Sequence, residues 1–296
     1  MTIIAILIAF TLCHFVSELR RVRRFEWLHS FTSYCDDAFK DIPGWDGPLG
    51  FAVILGIPLL LAFLANSLMI AAIGQLGEFL FAIAVLIYTF GPRDLDVDVR
   101  AVINPEHGAD KDGQNQALEN LLGGKAPDEE RACNEAAIDA VFSRALKRWF
   151  GIIFWFAVLG IYGALLYRLT NILLKPDFKL QAELKSLFDR LCRILDWPAA
   201  QMVTLSLAIA TDFDSVFRAW KQYHNERGHG LFEANTEFML TSARTIVGSG
   251  RVQNDGYADQ LEGPMACIKL SMDLVWRSLG VWATVLAILL LVDVIA

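Results

Sequence analysis

Between Phe51 and Phe90 the chain carries one charge, Glu78, in 40 residues. As helix those residues would run about 60 Å, twice the roughly 30 Å hydrocarbon core of a bilayer, so the block predicts two spans with a turn between them. Asn66, Ser67, Gly74, Gln75 and Gly77 dilute the apolar run, which puts the turn between Asn66 and Gly77 and the spans at 49–68 and 74–91. The second stops at Gly91-Pro92 and meets Arg93 and Asp94. That edge reads as a helix leaving a membrane, because proline cannot continue the hydrogen-bond ladder and charges belong in the headgroup layer.

Three further runs fit the same pattern. Residues 1–16 are apolar and are followed by Arg20, Arg21, Arg23 and Arg24, with no small-residue cleavage site, so they predict an anchor whose arginine flank is cytoplasmic. Residues 149–167 carry Gly151, Gly160 and Gly163, small residues that let helices approach closely in lipid, and residues 276–296 form a fifth segment. The stretch 194–211 is broken by Asp196 and Pro198 and reads as interfacial or as packed against the bundle. Residues 92–148 then form a helical cytoplasmic loop, and 170–275 a mixed amphipathic and interfacial region.

Charge tests this topology. Residues 91–148 hold 8 Lys/Arg and 12 Asp/Glu, and residues 170–275 hold 11 and 13. If 149–167 crosses fully, the segment with Lys175, Lys179, Lys185, Arg190 and Arg193 lies outside, against the positive-inside tendency. Either a re-entrant 149–167 or a spanning 194–211 removes the conflict, and the sequence leaves both open.

Composition agrees with a membrane protein. The 55% hydrophobic content and a mean hydropathy of +0.41 exceed the usual globular level of roughly 45–50% apolar. The fold class predicted is therefore all-α: a polytopic membrane protein with about four to six membrane-associated helices and helical cytoplasmic segments, in a single integral domain. A net charge of −7 and the lack of a basic, aromatic-interleaved patch argue against a nucleic-acid partner. Cys13, Cys35, Cys133, Cys192 and Cys267 are widely spaced with no CxxC, which fits reduced thiols.

Candidate chemistry is sparse. Asp94, Asp96 and Asp98 imitate the start of a calcium loop, but Val99 stands where glycine is needed and Pro105 where a bidentate glutamate belongs, leaving a solvated strand or helix start. Gly123-Gly124-Lys125 lacks the glycine and the Ser/Thr of a phosphate loop: Glu119 and Ala126 occupy those places. The two glycines predict a helix end, with Pro127-Asp128 starting the next helix through an aspartate cap. His224 and His229 lack metal-ligand spacing, and no HExxH or GxSxG occurs, so no metal site, catalytic residue or cofactor is expected.

The helix expected over 129–148 is informative. Asn134, Ile138, Val141, Ala145 and Trp149 share one face, and Arg131, Glu135 and Asp139 another. Arg131 and Glu135 form an ordinary exposed i,i+4 pair, whereas Asn134 on an apolar face needs a partner. Arg168 and Asn171, at i,i+3 on the edge of an apolar span, face the bundle, water or headgroups, with snorkelling as the plainest reading. A transport path would need polar residues along the spans; Asn66, Gln75 and Glu78 are the few available, and a turn explains them more simply.

Several strings carry a resemblance: "GPRDLDVDV", the run from Ala132 to Leu173 that contains "ACNEAAIDAVFSRALKRWFGIIFWF" and "YRLTNIL", "ILDWPAAQM", and "EGPMACIKLSMDLVWRSLGVWATVL". In order and content they resemble the AmpE family, inner-membrane proteins of the operon linked to induction of chromosomal β-lactamase. That family is in turn similar to the cobalamin-pathway membrane synthases CbiB and CobD, which form an amide bond using a nucleotide and Mg. Relative to the synthases this chain keeps Tyr167, Arg168 and Asn171 but reads Ile172-Leu173-Leu174 in place of Thr-Leu-Asp. It also reads Asn134-Glu135 for Glu-Asn, with Asp139 one position late.

The resemblance implies a multi-pass protein of the bacterial inner membrane, acting as a regulatory or signalling modulator in the cell-envelope response connected with β-lactamase induction. Its alternative is a synthase-like membrane enzyme. The pocket expected from these residues is polar and cytoplasm-facing, lined by Arg93, Asp94, Asn134, Glu135, Arg168 and Asn171, and its arginines suit a small anionic ligand. The partners expected are the lipid bilayer and that ligand or an envelope-signalling protein.

Overall fold

A computed structural model describes residues 2–15, 25–90, 95–103, 111–178, 180–226, 234–248 and 263–291. All regular structure among them is helical, as expected of an all-α chain. In order the helices are α1 (Thr2–Phe15), α2 (Glu26–Phe39), α3 (Gly50–Ile73), α4 (Gln75–Thr89), α5 (Leu95–Ile103), α6 (Lys111–Leu122), α7 (Glu130–Ala145), α8 (Gly151–Leu173), α9 (Ala182–Ala210), α10 (Phe213–Glu226), α11 (Glu237–Gly248) and α12 (Gly263–Leu291). Short π-helical segments, Trp45–Leu49 and Leu146–Phe150, lead into α3 and α8.

Three helical runs, Trp45–Ile73, Glu130–Leu173 and Gly263–Leu289, are long and apolar enough to cross a membrane, and Ile4–Cys13 and Gln75–Thr89 are shorter apolar helices. The chain is a membrane protein. Its last long helix begins at Gly263, well before the 276 expected, with Pro264 in the first turn, where its missing N–H leaves no bond unmade. Likewise 194–211 is not interrupted: Pro198 lies inside α9, which runs unbroken for 29 residues.

The described chain divides into two compact units. One holds residues up to Pro92, Gly151–Leu195 and the chain end from Leu289; the other holds Arg93–Phe150 and Asp196–Ile288.

In the first unit α1, α3, α4 and α8 pack together. Ala5 and Ala9 lie one turn apart on α1, both fully buried, and their small side chains let that helix approach α4 closely. The turn anticipated between Asn66 and Gly77 falls at Gly74, whose φ of 62° and ψ of −144° only glycine adopts readily. Gly160, inside α8, has nearly the same conformation, φ 64° and ψ −150°. It therefore breaks α8 into two arms that fold back on each other: a Cβ on Gly163 would overlap the Trp155 carbonyl, and one on Gly151 the Tyr167 ring.

Counted as one rod, Glu130–Leu173 has the length of a span, but its apolar part doubles back. The first arm, residues 151–159, is roughly 14 Å long, about half the hydrocarbon thickness. Of the two arrangements left open by the sequence, the protein folds 149–167 back. Gly77 stands three residues after its hinge as Gly163 does after its own, and a Cβ there would overlap the Met69 carbonyl. Both hairpins thus use one Gly-x-x-Gly turn.

A core of Leu28, Ile54, Leu169, Leu173, Leu184 and Phe188 fastens α2, α3, α8 and the start of α9. Burying each such side chain is worth about 1.5–3 kcal/mol. Asn66 Nδ2 donates to Tyr162 Oη at 3.2 Å, joining α3 to the second arm of α8. By contrast Leu60, Leu61, Phe63, Leu64 and Leu68 of α3 are more than half exposed, as a lipid-facing surface requires.

The second unit packs α7 against α11, α10 against α11, and α5 and α6 against each other and α7. Gly123, with φ 79°, ends α6 as its sequence predicts, its N–H donating to Glu119 O at 2.8 Å. The aspartate cap does not form. Glu129 is the N-cap of α7, extended and without a side-chain bond, so Asp128 sits one residue too early.

Candidate functional site

Of the six residues expected to line a polar pocket, Arg93 and Asp94 lie outside the described residues. Asn134 and Glu135 belong to the second unit, and Arg168 and Asn171 to the first.

Arg168 does not snorkel to the rim. The second arm of α8 carries it inward to 6% exposure, and its guanidinium carbon lies 5.6 Å from the Phe25 ring centroid. A cation over an aromatic face keeps favourable electrostatics where water is excluded. One turn on, Asn171 donates from Nδ2 to Tyr167 O at 3.0 Å and receives the Cys192 thiol at 3.7 Å on Oδ1. The ring beside it is fixed as well: Tyr88 receives the Trp27 N–H at 2.5 Å and packs 4.4 Å from Phe25. Arg168 is thus seated on α8 beside Phe25, the residue before α2, and near Tyr88 of α4.

On α7 the predicted faces hold. Ile138, Val141, Ala145 and Trp149 are buried, while Arg131 and Glu135 form the expected pair, Nε to Oε1 at 3.1 Å with 84% and 44% exposure. Asn134 has not found its partner: its Oδ1 is buried with no hydrogen bond among the described residues.

Asp139 goes further than its sequence suggested. Arg244 of α11 grips it with two N–H groups, Nε to Oδ1 at 2.7 Å and Nη2 to Oδ2, while Nη1 donates to Glu237 Oε1 at 3.1 Å. This fork is the bidentate geometry that guanidinium offers a carboxylate. The Asp139 hydrogen bond, against opposition from burial, holds the Arg244 proton even more tightly than usual.

The aspartates after Leu95 are not solvated. Asp96 and Asp98 are 8% and 7% exposed on the first turns of α5: arginines from elsewhere in the second unit neutralise Asp98, while Asp96 accepts an indole N–H and lies 3.8 Å from Arg100 of its own helix. Arg148 Nη1 donates to Asp98 Oδ2 at 3.0 Å, Arg144 Nη1 lies 3.6 Å from the same oxygen, and Trp276 Nε1 donates to Asp96 Oδ1 at 3.3 Å. Arg144 also bonds Asn120 O at 2.6 Å, tying in the end of α6. The sequence reading missed Arg144, Arg148 and Arg244. For the first two a signal existed: two arginines at i,i+4 beside an apolar face require acids from another element.

Among the described residues no group of three or more His, Cys, Asp or Glu could hold a metal ion. The carboxylates around α7 are instead directed at arginines, an arrangement suited to fastening helices. Comparison with known proteins adds no relative: no family model, curated protein or solved structure matches this chain.

Proposed function

We propose that this protein is a multi-pass component of the bacterial inner membrane that acts as a regulatory modulator in the envelope response tied to β-lactamase induction. The AmpE-like strings motivate the reading, and the arginines after the first apolar helix favour a cytoplasmic flank there. The observation that carries it against the synthase alternative is the Asp139–Arg244–Glu237 network. Asp139, the carboxylate nearest to the one the synthases place on this helix, is committed to a two-pronged ion pair inside the second unit. An acid held that way joins α7 to α11, a scaffold role, and a modulator needs such rigidity to present a surface to a protein partner.

The test has two arms. Removing the gene should change the β-lactamase response to an inducer, and the wild-type chain should restore it. The purified protein should show no thermal shift with nucleotide plus Mg²⁺. Mg²⁺-dependent nucleotide turnover that disappears in Glu135→Ala would return the amide-forming enzyme to first place.

A further inference from the structure

We propose that the cleft between the C-terminal half of α9 and α10 lodges one acyl chain of a bilayer phospholipid. It is a cavity of about 310 Å³ walled by Met202, Leu205, Ala208, Phe213, Phe217 and Trp220. That volume sits at the small end of ligand pockets, roughly 300–1,000 Å³, and suits a single chain rather than a whole lipid.

The chemistry of the wall selects the occupant. Most of the polar atoms along it are engaged: Trp220 Nε1 donates to Gln201 Oε1 at 3.2 Å, and the Thr204 hydroxyl donates to Ala200 O at 2.9 Å. Apart from the Gln201 amide nitrogen, what lines it is hydrocarbon and aromatic face. The rings of Phe213, Phe217 and Trp220 run along α10 in near-parallel order, 5.9 Å apart at 10° and 17°. A polar metabolite would lose its hydration there without compensation, whereas an alkyl chain loses nothing.

The helix itself shows what lies outside. Past Asp196 the C-terminal half of α9 carries no charge as far as Ala210, and its exposed positions are Met202, Leu205 and Ile209. In a membrane protein such exposed apolar side chains suit lipid rather than water. Trp197 stands where the charges end, as interfacial tryptophans do. The cleft opens on the apolar part, with Leu205, Phe213 and Phe217 about half exposed at its rim. The opposite edge of α10 offers Asp214, Arg218, Lys221 and Gln222 to solvent, the two-faced pattern of a helix lying in a membrane surface. The acyl chain therefore comes from the leaflet beside α10. This inference depends on membrane embedding and is independent of the regulatory role.

Photolabelling tests it. The full chain is reconstituted in phosphatidylcholine vesicles containing a trace of phosphatidylcholine with a diazirine in its acyl chain, illuminated, and mapped by mass spectrometry. Adducts are expected on Met202, Leu205, Phe217 or Trp220, and severalfold fewer in Ala208→Trp, which fills the cleft. Labelling of Leu60 and Leu64 on α3 should stay unchanged and so report intact insertion. Ala208→Leu repeats the comparison should the larger variant not fold. Labelled α3 with an unlabelled cleft overturns the proposal and leaves the cleft to a protein helix. Cleft adducts unaffected by either filling variant overturn it too, since lipid would then only brush the rim.

Discussion

Gly151 and Tyr167 lie flank to flank although sixteen residues separate them, and Tyr167 is completely buried at that contact. A straight helix would hold them about 24 Å apart. Their contact is what turns an apolar stretch long enough to cross a bilayer into a hairpin. Gly151→Ala forces a methyl group into the Tyr167 ring with no flexible side chain to yield. Overpacking of this kind costs about 1–3 kcal/mol. A clear fall in the melting temperature of the detergent-solubilised protein is expected, and an unchanged value would mean that the two arms part easily.

The hinges can be separated from the contacts they create. Nothing lies within 4 Å of a Cβ placed on Gly74 or Gly160, so substitution there tests backbone conformation alone. Their ψ values fall in a region that even asparagine avoids, which makes Gly160→Asn no better than Gly160→Ala. Each should cost about 1–3 kcal/mol. Equal losses at Gly74 and Gly160, measured by thermal unfolding, would show that the two turns are equivalent; tolerance at one would show that its hairpin is held by packing instead.

How far the sequence reaches is clear from these same elements. The turn near Gly74 was readable because polar and small residues dilute a 40-residue apolar block that no bilayer could hold as one helix. The turn at Gly160 was not, since a glycine amid apolar residues also suits a straight, closely packed helix. The readable signal was the repeated spacing, Gly74 with Gly77 and Gly160 with Gly163. Local pairs such as Arg131 with Glu135 follow from helical periodicity. Asp98 with Arg148, fifty residues apart, and Asp139 with Arg244, over a hundred apart, do not, because periodicity carries no information about which distant element arrives. For the pocket the same limit applied: the pattern put Arg168 at a membrane edge, and only tertiary packing brought Phe25 over it.

Arg244 should matter far more to stability than the exposed Arg131. Arg244→Ala leaves Asp139, 24% exposed, facing a gap, and hydrogen bonds to charged groups are worth about 1.5–3 kcal/mol. Arg244→Lys should recover only part of this, because an ammonium cannot bridge Asp139 and Glu237 with a planar fork. Arg131→Ala, which breaks an exposed i,i+4 pair, should cost only about 0.2–0.5 kcal/mol. Denaturant unfolding of the three variants checks the order, and a loss in Arg131→Ala as large as in Arg244→Ala would contradict it.

Cys35 provides a pH-dependent reporter for α2. It is 2% exposed, and burial, aided by the neighbouring Asp36 charge, pushes its thiol above the ordinary range. The folded protein therefore holds this proton more tightly than the unfolded chain. Between the two pKa values the folded state carries the extra proton, so the stability linked to Cys35 is complete below the unfolded thiol's value, about 8.5, and is lost as pH rises through the folded one. In a variant keeping only this cysteine, maleimide labelling at neutral pH should be slow and should accelerate on unfolding. The alkaline loss of stability should shrink in Cys35→Ala. Rapid labelling of the folded protein at neutral pH would show that α2 opens without global unfolding, and that the Leu28–Phe188 core does not hold it in place.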